Sequence, residues 1–351
     1  MIKPLTSLRF FFAFMVLLSH IPYKINHIFY HLISNGAVGV SFFFILSGFI
    51  LTLNYEERIS NGYQKRKFLI DRFLRIYPLH LLVLTIFALS FLLGSMNRIL
   101  LLKQFVSHFF LIQNYIPIKE IYSSLNKPAW SICCEMFFYL CFPFLVLRIK
   151  KNLIISLLFL ILIPFLIFYI NRENSLFLGI NPFIRIPDFI VGILSYRLYK
   201  ALKPYVSNIS SSHFSIIEVI LILFLFLSFY SFYGLNYYQT FPLYWIPMVF
   251  FIIGMGFSNG LIAKILSKSP FVILGEISYS IYMTHFFIIH ILTTFFRDTF
   301  AFENRFTFLI CVSFITISCS YLTYTLIEMK FSKHMKPHLY KLLNVKQKGL
   351  S

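Results

Sequence analysis

The sequence predicts an all-α polytopic membrane protein of about ten transmembrane helices, and three observations carry that prediction. Hydrophobic residues make up 59% of the 351-residue chain and charged residues only 12%, more apolar surface than a soluble domain of this size could hide. Apolar runs long enough to cross a bilayer recur along the chain, separated by charge, Pro, Gly and Asn. The formal net charge of +19 comes from basic residues that fall between those runs. Such charge reports membrane topology and argues against nucleic acid as a partner.

The first run, 5–22, passes Ser19-His20 with no small-residue cleavage site after it. It therefore reads as a retained first helix and not as a signal peptide. Nine more spans are expected at 37–54, 76–94, 129–147, 152–170, 183–200, 215–233, 243–260, 271–292 and 305–328. Residues 99–117 are apolar too, but they carry Lys103, Gln104, His108, Gln113 and Asn114. That content predicts an interfacial or re-entrant segment. Loop charge supports the choice: ten spans with an inner N-terminus place 22 of the 31 basic residues inside. An eleventh span would invert everything after it, so both termini are expected in the cytoplasm. Residues 1–329 read as one membrane domain without internal repeats, and 330–351 as a basic cytoplasmic tail suited to anionic lipid headgroups. The five cysteines, Cys133, Cys134, Cys141, Cys311 and Cys319, all lie in apolar runs. They offer neither a disulfide framework nor a metal-ligand spacing, and no metal is expected.

Charge inside apolar text marks the candidate site. Arg9 and His20 bracket the first run, eleven helical residues and roughly 16 Å apart. Each costs free energy unless it faces a polar interior. Arg72 and Arg75, three apart, share a helical face and run into a span through Tyr77-Pro78, so their two guanidiniums form a bidentate site for phosphate. Lys65, Arg66 and Lys67, just before them, read as a juxtamembrane cluster that sets topology. The helix opening at Ala129-Trp130-Ser131 enters from outside and carries Glu135 two turns in, about the depth that His20 reaches from the other side. A matched His and carboxylate predict a functional His20–Glu135 pair. The adjacent Cys133 and Cys134 read as small hydrophobes. Arg185 and Asp188, three apart, are placed to neutralise each other, and Gly192 to admit a close helix. In the ninth span, Ser278 and Tyr279 lie near the cytoplasmic face and His285 near mid-depth. His285 is as well suited to a helix–helix hydrogen bond as to catalysis.

Taken together these residues resemble the membrane acyltransferase 3 family, typified by bacterial polysaccharide and lipopolysaccharide O-acetyltransferases, over residues 5–328. Arg9 and His20 reproduce its Arg-(ten residues)-His signature, and Arg72-Phe-Leu-Arg75 is similar to its Arg-x-x-Arg segment. Trp130-Ser131-x-x-x-Glu135-x-x-Phe138-Tyr139 looks like its Trp-Ser motif. Ser41-(five residues)-Ser47-Gly48-Phe49, Phe189-x-x-Gly192 and Ser278-Tyr279-Ser280-Ile281-Tyr282-x-x-His285 also fit.

The resemblance implies a ten-helix enzyme of the bacterial inner membrane. It would take an acyl group, usually acetyl, from cytoplasmic acyl-CoA and deliver it to a hydroxyl of a cell-surface glycan or its lipid-linked precursor. Some relatives carry an added extracytoplasmic hydrolase-like domain; this chain shows none and is expected to act alone. On this reading Arg72 and Arg75, with Arg9, hold the CoA phosphates, and His20 is the general base oriented by Glu135. Trp130, Ser131, Tyr139, Arg185, Ser278, Tyr279 and His285 complete the substrate-binding or structural motifs. Direct transfer and a covalent acyl-His step both remain open, as do the acyl chain, the acceptor hydroxyl and the oligomeric state. The competing reading is a glycolipid flippase, whose usual marks are internal repeats or paired broken spans; neither is evident.

Overall fold

The computed structural model describes residues 2–22, 36–61, 64–94, 97–152, 162, 175–232, 241–295, 305–343 and 345, and among them helices are the only regular structure. In chain order these are α1 (Lys3–Ser19), α2 (Gly36–Ser60), α3 (Lys65–Leu92), α4 (Arg98–Phe109), α5 (Lys119–Tyr122) and α6 (Trp130–Lys151). They continue with α7 (Ser175–Ile180), α8 (Pro182–Val206), α9 (Ser211–Ser231), α10 (Trp245–Phe257), α11 (Leu261–Leu266) and α12 (Ser269–Glu276). The last are α13 (Ser278–Phe295), α14 (Arg305–Thr323) and α15 (Ser332–Leu342), the final two joined by a π-helical stretch, Tyr324–Phe331.

Among the described residues five helices are long and apolar enough to cross a membrane: α2, α3, Lys127–Ile149, α9 and the continuous Phe306–Leu342. The pair α12 and α13, bent by 59° where they meet, makes a sixth if the two count as one span. Three other expected spans are helical but differ in length or composition. The first helix and Phe241–Phe257 have 17 residues each, and α8 carries Arg185, Asp188, Arg197 and Lys200 along its 25. The expected span 152–170 falls almost wholly outside the described residues. Exposed and buried faces follow the membrane pattern. Leu93, Ile99, Phe110, Ile216 and Phe314 face outward, while Gln104, His108, Gln113 and Asn114 are buried. Apolar surface on this scale marks contact with lipid, and the chain is a multi-pass membrane protein.

The first helix is the centre of the packing. Its Leu5, Leu8 and Phe12 join one hydrophobic cluster, Ala13 and Leu17 a second and Val16 the third. The helices α2 and α8 cross at backbone contact. A Cβ at Gly192 would stand 2.0 Å from the Ile45 carbonyl oxygen, and one at Gly48 would stand 2.1 Å from that of Phe189. Small residues permit such backbone contact between membrane helices, as expected for Gly192. Gly192→Leu should therefore destabilise the protein by about 1–3 kcal/mol or more, the range for overpacking. Gly94→Ala, whose Cβ would lie an ordinary 3.5 Å from its nearest neighbour, should not. Thermal unfolding of the two variants in detergent tests this; equal midpoints would refute it.

Segment 98–129 contains no helix long and apolar enough to cross a membrane. Asn97 caps α4, accepting from the Ile99 and Leu100 amides at 2.9 and 3.2 Å. Its 12 residues rise only about 18 Å. Burial holds the His108 imidazole down at about 4, so it stays neutral and donates to the Gln104 carbonyl at 2.9 Å. The chain then reverses at Leu111, in the left-handed region with φ 55°. Asn114 Nδ2 donates to the carbonyls of Trp130 (2.7 Å) and Ile180 (2.8 Å), and the Cys133 thiol to that of Leu111 (2.8 Å). The cysteine thus holds the segment against the start of α6, as a structural side chain.

The described part of the basic tail packs on protein. Tyr340 is buried against Ile70 and Leu74 of α3, its hydroxyl donates to Asp71 at 2.7 Å, and Lys336 pairs with the same carboxylate at 2.6 Å. Pro78 has no N–H to offer the Leu74 carbonyl, and Ser332 Oγ donates to that oxygen instead, at 2.8 Å.

Candidate active site

Arg9 of α1, Arg72 and Arg75 of α3, Glu135 and Tyr139 of α6, and Ser278 and Tyr279 of α13 line one cavity of about 140 Å³. Sites for drug-sized ligands run to about 300–1,000 Å³. A cavity of this size admits a thin chain, with anything bulkier left at its mouth. Its three guanidiniums are held differently. Arg75 pairs with Glu328 at 2.7 Å, and Glu328 in turn accepts from Ser280 Oγ at 2.6 Å. Arg72 donates to the Tyr55 hydroxyl at 3.2 Å and lies over the rings of Tyr55 and Tyr139, 5.5 and 5.9 Å from their centroids. Arg9 has no carboxylate within 4 Å among the described residues. Glu135 accepts a short hydrogen bond from the Tyr139 hydroxyl, and the charges of Arg9, Arg75 and Arg72 all act on it. Among the described residues the three guanidiniums are answered by Glu135 at the cavity, by Glu328 on Arg75 and, for Arg72, also by the charge of Asp71. Ser278 adds a fully buried hydroxyl that has no hydrogen-bond partner among the described residues.

His20 lies at the other end of α1 and is not part of this lining. Its Nδ1 sits 2.9 Å from the Val16 carbonyl oxygen, 3.4 Å from Ser19 Oγ and 3.3 Å from Nε2 of His285. The expected contact between His20 and Glu135 is therefore not made, and each has other partners. The cause is the depth at which α6 begins. Lys127, just ahead of α6, is the cation that acts on His20, and it lies over the Phe286 ring beside it. Glu135 is eight residues further along, roughly 12 Å deeper, which brings it to the level of Arg9. The turns ahead of Trp130 are themselves buried, so α6 begins below the surface.

Tyr282 stands between the two ends. It lines the cavity, its hydroxyl donates to the Pro128 carbonyl at 2.8 Å, and its ring centroid is 5.9 Å from that of His285. The ninth-span motif thus acts as a spine: Tyr279 donates to the Ile76 carbonyl at 2.6 Å, Ser280 secures Glu328, and His285 reaches His20.

Two motif members serve the scaffold. Arg185 and Asp188 form a fully buried ion pair at 2.6 Å. Arg185 also donates to Ser41 Oγ at 2.7 Å, while Asp188 accepts from Trp245 Nε1 at 2.5 Å. Trp130 lies against Arg185, 5.7 Å from ring centroid to guanidinium, whereas its neighbour Ser131 lines the cavity. Sequence reasoning missed Glu328. It is one of only 12 acidic residues and closes an apolar run, a signal that an intramembrane carboxylate has a cationic partner. The π-helical stretch that turns it toward Arg75 has no comparable signal; such widened turns recur at functional sites. Among the described residues no group of three or more His, Cys, Asp or Glu is placed to hold a metal ion.

A family model described as an acyltransferase domain matches residues 3–325. The chain belongs to that family. The acyltransferase MdmB of Streptomyces mycarofaciens is 31% identical over 157 residues, 42% of this chain and 40% of its own. The O-acetyltransferase OatA of Staphylococcus aureus is 27% identical over 303 residues, 76% of this chain and 48% of its own. A relative from Staphylococcus aureus (strain COL) is 28% identical over 342 residues, 87% and 55% respectively. The chain spans about half the length of these curated relatives. No solved structure matches. Membership of an acyltransferase family weighs against the flippase reading.

Proposed function

We propose that this acyltransferase moves an acyl group, most simply acetyl, from cytoplasmic acyl-CoA to a hydroxyl of a cell-surface glycan or its lipid-linked precursor, within a bacterial inner membrane. The carrying observation is the pair of ends on α1: three guanidiniums around one narrow cavity at the Arg9 end, and a histidine roughly 16 Å away at the other. A donor whose phosphates sit far from its reactive thioester on a thin arm matches that separation. Arg72, Arg75 and Arg9 take the phosphates through charge-assisted hydrogen bonds. Glu135 and Glu328 keep the guanidiniums tolerable to one another before the donor binds. The arm passes Tyr282 toward His20. His20 Nε2 takes the proton of the acceptor hydroxyl as its oxygen bonds to the acyl carbon. The C–S bond then breaks, and the thiolate recovers that proton as free CoA thiol.

The test is release of CoA thiol from acetyl-CoA by purified full-length protein in detergent. Arg72→Ala should raise KM for acetyl-CoA about 10- to 100-fold, the worth of one charge-assisted contact. Arg72→Lys should recover only part of it, because a point charge loses the planar fork. Lys65→Ala should change little, since Lys65 lies over Phe144 and does not line the cavity. An unchanged KM in folded Arg72→Ala protein would remove the donor-phosphate role.

A further inference from the structure

We propose that His285 is a positioning residue that fixes the tautomer of His20, keeping its Nδ1 protonated and its Nε2 bare to act as the base. The inference rests on the reading of His20 as general base and assigns the group that prepares it.

Each step follows from which atoms can only accept. Nδ1 of His285 lies 3.2 Å from the carbonyl oxygen of Ile281, one turn back on α13. A carbonyl cannot donate, so this nitrogen carries the proton, and in the neutral ring Nε2 is then an acceptor. That acceptor is 3.3 Å from Nδ1 of His20. The same Nδ1 is 2.9 Å from a second pure acceptor, the Val16 carbonyl. Facing two acceptors, it must hold the hydrogen, shared between them. Ser19 Oγ, at 3.4 Å, does not reverse this, because its own hydrogen is directed to the Val16 carbonyl at 2.7 Å. The remaining nitrogen of His20, Nε2, is therefore the unprotonated one.

The arrangement has the logic of a base oriented by a third group, with a neutral imidazole where a carboxylate is more usual. His285 is fully buried, so its orientation is set by packing, whereas His20 keeps partial exposure for the incoming acceptor. When Nε2 takes the acceptor proton, the Nδ1–H bonds to Val16 and His285 become charge-assisted and strengthen. Among the described residues the charge that acts on His20 is Lys127, from the turn ahead of α6, and the Phe286 ring of α13 packs edge-on against the imidazole. The Nδ1 proton stays in place through the cycle; only Nε2 gains and loses one.

The experiment compares His285→Gln with His285→Leu in full-length protein, with acetyl-CoA as the probe. A glutamine amide oxygen can stand where Nε2 stood; leucine offers no acceptor. His285→Leu should lower kcat roughly 10- to 100-fold, less than the whole worth of a general base, and leave KM for acetyl-CoA within about twofold. His285→Gln should recover most of the loss. Nitrogen NMR of labelled histidines should report the Nδ1–H tautomer for His20 in the unsubstituted protein and a shift toward Nε2–H in His285→Leu. Equal loss in both variants, wild-type turnover in His285→Leu, or an Nε2–H signal for His20 in the unsubstituted protein would each overturn the assignment. The last holds even if a variant fails to fold. If His20→Ala itself keeps full turnover, the base reading falls instead, which separates the two failures.

Discussion

His20→Ala should lower acyl transfer by about 10²–10⁴-fold, the usual worth of a positioned general base. Donor binding should hardly change. The groups proposed for the phosphates lie at the Arg9 end of α1, and no atom of His20 lines their cavity. The expected signature is thus a fall in kcat at constant KM for acetyl-CoA, read as CoA thiol release by protein with an unchanged unfolding midpoint. Glu135→Gln should give the opposite split. That carboxylate answers to Arg9, Arg72 and Arg75 and hydrogen-bonds Tyr139, so its loss should fall on donor affinity before turnover. A His20→Ala protein within tenfold of wild-type turnover would remove the base from the mechanism. Equal kcat losses in both variants would restore a His20–Glu135 unit in the working complex.

Arg185→Met should destabilise the protein by about 3–5 kcal/mol, because it strands a buried carboxylate. The side chains of Arg185 and Asp188 are both fully buried, 2.6 Å apart. Arg185 is also enclosed by Phe44 and Phe241, with centroids 5.3 and 4.7 Å from the guanidinium. Asp188→Leu alone should be as harmful, since the guanidinium would then be left without its counter-charge. The double variant should recover much of the loss, because an apolar pair of similar volume removes both charges together. Thermal unfolding of the three proteins in detergent measures this. An unchanged midpoint in Arg185→Met with lost turnover would return Arg185 to the substrate.

Sequence was most informative where a single residue type has few tolerable environments. A guanidinium or carboxylate within an apolar run must face a polar interior. That rule selected Arg9 and Glu135, a shared helical face running into a span selected Arg72 and Arg75, and one cavity collects all four. Gly192, singled out for close approach, meets the backbone of α2. Arg185 and Asp188, three apart, neutralise each other. These are local inferences, since spacing of three or four residues on a helix places side chains together whatever the rest of the chain does.

Tertiary structure decided who meets whom across helices. The depth of Glu135 depends on how segment 98–129 folds back and where it seats the first turn of α6, a contact among Asn114, Cys133 and backbone carbonyls with no periodic signature. That placement gave Glu135 to the arginines and left His20 to His285. Glu328 reaches Arg75 through a widened helical turn, and the described part of the tail meets α3 through one tyrosine and one lysine on Asp71. The physical reason is common to all three. An apolar run states that a helix is buried in lipid, but lipid is equally apolar at every depth and every rotation. Vertical register and facing are therefore set by the few polar contacts that close only in three dimensions.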